Sequence, residues 1–171
     1  MYKGLIFTLA LSTLFLGCNS TDDRPEVDYY ITVTESEQYN RLILDFDWLS
    51  AIQSSPAGES GRSVYLDPAT YSFVTDGTQA PIYMGSSIIE TGTVNGYDFY
   101  FTGHAVETDA GRMELEKSES ALESNPKAFK KIEISREQLV TVTFVVDVDK
   151  SVVPLPDGGA KFVGDISIRV D

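Results

Sequence analysis

The chain has 171 residues and a formal net charge of −13, from 13 basic and 26 acidic residues. This length fits one domain with a substantial core. A chain this acidic repels phosphate backbones, so nucleic acid is a poor partner. The single cysteine excludes an intrachain disulfide and a cysteine-based metal cluster.

The first segment, Met1 to Cys18, has the features of a secretion signal. Lys3 precedes an apolar run from Leu5 to Leu16, and Gly17 stands directly before Cys18. The run is too short to span a bilayer and has the length of a signal-peptide core. No basic stop-transfer flank follows it, which argues against a transmembrane anchor. The segment resembles the lipobox of bacterial lipoproteins.

This resemblance implies that residues 1–17 are removed as a signal peptide and that Cys18 carries the lipid. The protein is then expected at the outer membrane, lipid-anchored, on the periplasmic or cell-surface side. Residues 18–26 are polar and acidic and predict a flexible tether, reaching about 25–30 Å if extended. Residues 27–171 are expected to form one β-sandwich domain.

Alternating apolar and polar residues predict strands from Val27 onward. The first predicted strands are Tyr29–Thr34, Arg41–Trp48, Tyr65–Thr75 with its centre at Thr70–Val74, Pro81–Met84 and Ile88–Val94. In the second of these, the alternation places four apolar residues on one face, opposite Asp45 and Asp47: Leu42, Leu44, Phe46 and Trp48. Asn95-Gly96 is a strong hairpin signal. It predicts a turn that joins Ile88–Val94 to Tyr97–His104 as antiparallel neighbours.

Residues 113–130 break the alternation because Glu, Lys, Ser and Ala dominate, and Pro126 interrupts them. They predict one short helix or an ordered loop. The last two predicted strands, Gln138–Asp149 and Lys161–Val170, are expected to pair antiparallel around the loop Lys150–Ala160. Many short strands with turns between them indicate an all-β antiparallel sandwich of the immunoglobulin or prealbumin type. A closed β-barrel is the alternative.

His104 is the only histidine, so a conventional catalytic triad or a histidine metal site would have to use it. A lone histidine is more often structural or on the surface. Its replacement by alanine is therefore expected to leave the fold nearly intact. No catalytic residue is assigned, no enzyme activity is expected, and the sequence contains no nucleotide or phosphate-loop motif that would call for a cofactor.

Two Asp-x-Asp pairs are the candidates for a hard cation such as Ca²⁺: Asp45 with Asp47, and Asp147 with Asp149. Neither pair lies in an EF-hand loop, so no metal site is assigned. Lys150 or Lys161, rather than a metal ion, is expected to offset Asp147 and Asp149.

Exposed aromatic residues are the candidates for ligand binding. Tyr30, Trp48 and Tyr100 fall at strand positions from which a ring can stack on a sugar or contact a protein partner. Such residues equally form cross-strand packing pairs. The ligand therefore stays unknown, and an unidentified protein or glycan is the expected partner besides the membrane.

Several segments resemble prealbumin-like β-sandwich domains of bacterial lipoproteins of unknown function. Leu66-Asp67-Pro68-Ala69-Thr70-Tyr71-Ser72 is similar to their "L-P-A-G-T-Y" edge. The segments that follow resemble their later strands: Ile132 to Gln138, Phe144 to Val152 and Ile168 to Val170. The resemblance implies a fold and an envelope location but no activity. The expected function is a non-enzymatic binding or structural module. The alternative is a glycan-, solute- or cation-binding accessory lipoprotein of an uptake system.

Overall fold

A computed structural model describes residues 24–55, 58–116, 125–136 and 138–171. Within these ranges the chain is almost entirely β-structure. The strands are β1 (Glu26–Val33), β2 (Arg41–Ser55), β3 (Gly58–Val64), β4 (Ala69–Val74), β5 (Ile82–Ile88), β6 (Gly92–Thr108), β7 (Gly111–Glu114), β8 (Lys127–Ile134), β9 (Leu139–Val146), β10 (Val152–Pro154), β11 (Ala160–Phe162) and β12 (Ile166–Val170). One short helix, α1, spans Val148–Ser151.

The smaller of the two main sheets has the strand order β12-β9-β1-β5. Its central pair, β1 and β9, runs parallel from Glu26 beside Leu139 to Val33 beside Val146. The outer strands β12 and β5 pair antiparallel with this centre. The sheet is thus mixed, and its central pairing joins the first strand of the domain to one near its end.

The larger sheet is built on β2 and β6, strands of 15 and 17 residues that pair antiparallel from Arg41 beside Glu107 to Gln53 beside Val94. Two shorter strands share each edge of this ladder. The first half of β2 pairs with β4 and the second half with β3. The first half of β6 pairs with β8 and the second half with β7. A separate hairpin, β10 with β11, completes the strands.

The two main sheets pack face to face through aromatic side chains. Phe144 of β9 meets Phe99 edge-on at 4.7 Å and Tyr97 at 5.1 Å between ring centroids. Tyr29 of β1 meets Tyr97 edge-on at 5.8 Å. All four side chains are fully buried. Neither sheet closes on itself in the described residues, so the predicted β-sandwich is confirmed over its alternative.

Two tyrosine hydroxyls lie inside this core. Burial raises the pKa of Tyr29, and it raises the pKa of Tyr97 to about 12. Both phenols therefore stay neutral at physiological pH. The interior is dry enough to disfavour the phenolate strongly.

The hairpin predicted at Asn95-Gly96 is wrong, because both residues lie inside the continuous strand β6. Asn95 is the extra residue of a β-bulge: Ile52 pairs with Gly96 and Gln53 with Val94. The Asn95 Nδ2 group donates to Ser54 Oγ at 2.7 Å and to Glu59 Oε1 at 2.6 Å. Glycine is required next because a Cβ at Gly96 would collide with the carbonyl oxygen of Ala128 on β8.

The helix or loop expected over residues 113–130 is also corrected where the structure describes it. Met113 and Glu114 belong to β7, and Lys127 to Lys130 begin β8. Residues 117–124 lie outside the described ranges. Pairing with β6 overrides the charged composition of β8, whose Ala128, Ile132 and Ile134 are buried in the core.

The predicted pairing of the last two strands is confirmed for β9 with β12, which are antiparallel. The observed strands are shorter than the two predicted ones, however. The first ends at Val146 and is followed by α1, and the second breaks into β11 and β12 at Gly164, which has φ +65°. Arg169 of β12 pairs with Thr143 of β9.

The domain begins slightly earlier than expected. Glu26 already pairs with Ile88 and Leu139, and the Pro25 carbonyl accepts a hydrogen bond from Ile89 N at 3.2 Å. The predicted tether is thus shorter by its last two residues. No helix in the described ranges is long and apolar enough to cross a membrane.

We expect Gly96→Ala to lower the free energy of unfolding by about 1–3 kcal/mol, because β8 must shift to admit the new methyl group. Urea unfolding monitored by Trp48 fluorescence measures the change. Gly159→Ala is the control, since its Cβ would lie 3.3 Å from the flexible carboxylate of Asp157 and at ordinary contact distance from two other side chains, and should change stability little. Equal stability of the two variants would contradict the role given to Gly96.

Candidate functional site

The structure brings two of the three predicted ligand-binding aromatic residues together. Trp48 and Tyr100 are cross-strand partners on β2 and β6. Their rings stack with centroids 3.5 Å apart and planes inclined by 10°. Both residues are half-buried, so each keeps part of its surface in contact with solvent. They lie on the outer face of the larger sheet, because their neighbours Leu49 and Phe99 point into the core.

A β-bulge places Trp48 on this outer face. Phe46 pairs with Phe101 and Trp48 with Tyr100, which leaves Asp47 as an extra residue in β2. Side chains beyond a bulge change faces relative to a strict alternation. The prediction that Trp48 shares a face with Leu42, Leu44 and Phe46 is therefore wrong, and Leu49 takes the inward position instead.

Polar groups flank the stacked pair on the same face. Asp98 lies two residues before Tyr100 on β6, and its Oδ1 is 3.5 Å from Lys127 Nζ. On the other side, Asp45 Oδ1 accepts a hydrogen bond from Thr70 Oγ1 at 2.7 Å. We call Asp45, Trp48, Asp98, Tyr100 and Lys127 the aromatic face. It combines ring surface with hydrogen-bonding groups on rigid strands.

Tyr30, the third predicted aromatic residue, lies on the other sheet. It packs against Tyr83 of β5, with ring centroids 5.2 Å apart and planes inclined by 55°. The Tyr83 hydroxyl lies 2.5 Å from Ser86 Oγ, which in turn donates to Asp28. The two aromatic pairs occupy opposite outer faces of the sandwich, so they cannot form one site.

Asp147 and Asp149 have separate partners and do not converge. Asp147 caps α1: its carboxylate accepts from Lys150 N at 3.1 Å and from Lys150 Nζ at 2.6 Å. Asp149 accepts from Ser36 Oγ at 2.5 Å. Lys150 therefore offsets Asp147, as expected, while Asp149 is bound by a hydroxyl. Within the described ranges, no group of three or more His, Cys, Asp or Glu side chains is placed to hold a metal ion.

The Lys150 side chain determines the ionisation of Asp147. Its hydrogen bond holds the pKa of Asp147 below the ordinary value, against a smaller opposing effect of burial. The same contact raises the pKa of Lys150. Both groups remain charged at neutral pH, and the pair fixes the turn that connects β9 to β10.

His104 is buried within the core. Its ring stacks on Phe162 of β11 with centroids 4.5 Å apart and lies 5.6 Å from Phe101. The residue is only 6% exposed. The expectation that its removal leaves the fold nearly intact is therefore corrected. A truncation here would leave a cavity between two aromatic rings.

Sequence reasoning missed a groove at one edge of the sandwich. Its cavity of about 430 Å³ lies between β3 and the end of β5, and a neighbouring cavity of about 380 Å³ shares Arg24 and Glu90 with it. We call it the arginine groove after its charged and buried polar lining: Arg24, Gln53, Arg62, Glu90 and Arg136. These residues are far apart in the chain, so no local motif indicates the groove.

Cys18, the predicted lipid-attachment residue, lies outside the described residues. Comparison of the chain with models of protein families, with curated proteins and with solved structures found no match. The resemblance to prealbumin-like lipoprotein domains therefore stays a prediction.

We expect Asp147→Ala to lower the free energy of unfolding by about 1 kcal/mol at pH 7, because the helix cap is lost. The pKa of Asp147 is depressed in the folded state, so its contribution is complete above the ordinary aspartate pKa. The contribution disappears as the pH falls through the folded-state pKa. The difference between wild type and variant should then shrink from about pH 4 downward.

Urea unfolding from pH 7 to pH 2 measures this difference. Asp67→Ala, at an exposed position in the loop before β4, is the matched control and should show little change at any pH. A wild-type advantage over Asp147→Ala that stays constant across this range would contradict the assignment.

Proposed function

We propose that this protein is a non-enzymatic, lipid-anchored binding module of the cell envelope whose aromatic face binds carbohydrate. The single observation that carries the proposal is the stacked Trp48–Tyr100 pair, partly exposed on the outer face of the larger sheet. A large aromatic surface left in contact with solvent is typical of a recognition site when polar groups surround it.

The geometry of the pair suits a sugar. Each ring restricts the other, so little side-chain freedom remains to be lost when a ligand binds. The rings offer apolar surface to the C–H groups of a pyranose. Asp45, Asp98 and Lys127 lie beside them with acceptors and a donor for sugar hydroxyls. An apolar platform with a few fixed polar groups is the usual composition of a small-ligand site.

The surroundings of the titratable side chains support a binding role rather than catalysis. His104 packs between aromatic rings in the core. The carboxylates of Asp45, Asp147 and Asp149 are each engaged by a hydroxyl or an ammonium group of the protein itself. None of these contacts resembles a nucleophile held against a general base.

The sequence of the N-terminal segment supports the location. Cys18 follows a signal-like apolar run, and Arg24 is the first described residue of the domain. Six extended residues would span about 20 Å. A lipid on Cys18 would then hold the domain close to the surface of the outer membrane, with its aromatic face free to meet glycans there.

The anchor is tested by Cys18→Ala. We expect this variant to lose lipid labelling and to move from the membrane pellet to the soluble fraction, because no thiol remains to be acylated. Radioactive palmitate incorporation and cell fractionation measure both effects. If the wild type takes up no label and the variant still sediments with membranes, the lipoprotein assignment fails.

The aromatic face is tested by Trp48→Ala and Tyr100→Ala in affinity electrophoresis against a panel of neutral polysaccharides. We expect the wild type to be retarded by at least one of them and each variant to lose most of that retardation. Tyr83→Ala is the matched control, since it removes a ring that is 51% exposed from the opposite sheet. Circular dichroism confirms that each variant is folded.

Two results would contradict the carbohydrate proposal. One is the absence of retardation by every polysaccharide in the panel. The other is a loss of retardation in Tyr83→Ala that equals the loss in Trp48→Ala, because the bound surface would then lie outside the aromatic face.

A further inference from the structure

The arginine groove concentrates positive charge in an acidic protein. The chain has six arginines, and three of them line this one groove: Arg24, Arg62 and Arg136. Among the described residues of this lining, Glu90 is the acidic side chain, so the arginines outnumber it. This contrasts with the net charge of −13 for the whole chain. Clefts lined by one sign of charge attract ligands of the other sign.

Sheet geometry opens the groove. At the end of β2 the inner face of the larger sheet extends past the smaller one, so β3 and the end of β5 form two separated walls. Ala51 and Gln53 of β2 lie between these walls. The cleft is open at its mouth, where Tyr65 is 86% exposed.

Gln53 is a buried polar group directed at this space. It is only 7% exposed and lines both the main cavity and a smaller cavity beside it. Among the described residues, none donates a hydrogen bond to its carboxamide or accepts one from it. Its carboxamide atoms are not among the fully buried polar groups that lack a hydrogen bond, so they are in contact with the cavity, where a bound polar group can pair with them.

The Arg62–Glu90 pair indicates which chemistry the groove recognises. Arg62 Nη1 lies 2.7 Å from Glu90 Oε1, and both side chains are more than half exposed. An ion pair this exposed contributes little stability, so a ligand carboxylate can replace Glu90 on the guanidinium at small cost. Guanidinium groups bind carboxylates through paired hydrogen bonds.

The rest of the lining favours a sugar acid over a purely apolar acid. Hydroxyl groups surround the charged residues along the smaller cavity: Ser54, Ser60, Thr91 and Thr93. Apolar surface is provided by Val64, Ile88 and Ile89 in the main cavity. Hydroxyl-bearing rings with a carboxylate match this mixture of donors, acceptors and apolar contacts.

We propose that the arginine groove is a second ligand site, separate from the aromatic face, and that it binds the carboxylate of an acidic sugar. Arg62 and Arg136 hold the carboxylate, Gln53 hydrogen-bonds a ring substituent, and Tyr65 covers the ring at the mouth of the groove. The site uses neither the aromatic face nor the lipid on Cys18. Failure of the proposed function would therefore not contradict this second site, and the reverse also holds.

Isothermal titration calorimetry with oligogalacturonate of three to four units tests the site. The fully methyl-esterified oligomer is the matched ligand control, because it keeps most of the hydroxyls and loses the charge. We expect saturable binding of the acid and at least tenfold weaker binding of the ester. Arg62→Gln and Arg136→Gln should each weaken binding of the acid about tenfold, as expected for the loss of one charge-assisted contact.

Three further variants distinguish binding in the groove from binding elsewhere on the protein surface. Arg112→Gln removes an arginine that pairs with Glu114 on β7, away from the groove, and should bind like the wild type. Tyr83→Ala removes an exposed ring outside both proposed sites and should also bind like the wild type. Gln53→Leu removes the buried amide at similar volume and should weaken binding without unfolding the domain.

Any of four results would overturn the proposal. They are no saturable binding, equal binding of acid and ester, unchanged binding by Arg62→Gln and Arg136→Gln, and full competition by inorganic phosphate at the concentration of the oligomer. The last result would indicate a general anion site without sugar recognition.

Discussion

The antiparallel ladder between β2 and β6 is the constraint on which the rest of the structure depends. Its two strands have 15 and 17 residues, whereas the strands of the facing sheet have five to eight. Each long strand therefore needs two short partners at its outer edge. The shorter strands of the facing sheet do not pack over the full length of β2 and β6. The arginine groove lies at the end of the ladder that they leave open.

A ladder of this length does not stay regular, and its irregularities decide which side chains meet solvent. Bulges interrupt the pairing at Asp47 and Thr102 near the middle and at Asn95 near one end. The bulge at Asp47 turns Trp48 to the outer face of β2. With Thr102 also left unpaired on β6, Trp48 comes to lie directly opposite the outward-facing Tyr100. The third needs Gly96, where the backbone of β8 comes too close for any side chain. Twisted, bulged strands thus carry the aromatic face on a rigid support.

The inner face of the ladder packs against the smaller sheet through aromatic side chains. Tyr29, Tyr97, Phe99 and Phe144 interlock edge-to-face, which adds directional contacts to the burial of large apolar surfaces. At the far edge, Lys130 Nζ donates to the carbonyl of Ile168 at 3.2 Å and links the two sheets. The sandwich is closed on this edge and open on the other. The two proposed sites therefore differ in kind, one a flat outer face and the other a cleft.

The sequence by itself determined the fold class, most strand positions and the pairing of β9 with β12, because alternation reports directly which face of a strand is buried. It also indicated Tyr100 as an outward-facing aromatic residue and Lys150 as a partner of Asp147, but it placed Trp48 on the inward face because alternation alone does not reveal the bulge at Asp47. Only the tertiary structure decided that Asn95-Gly96 lies within a strand, since a bulge and a hairpin turn use the same residues. It alone assembled the arginine groove, because Arg24, Arg62 and Arg136 come from separate segments whose proximity depends on how the two sheets end.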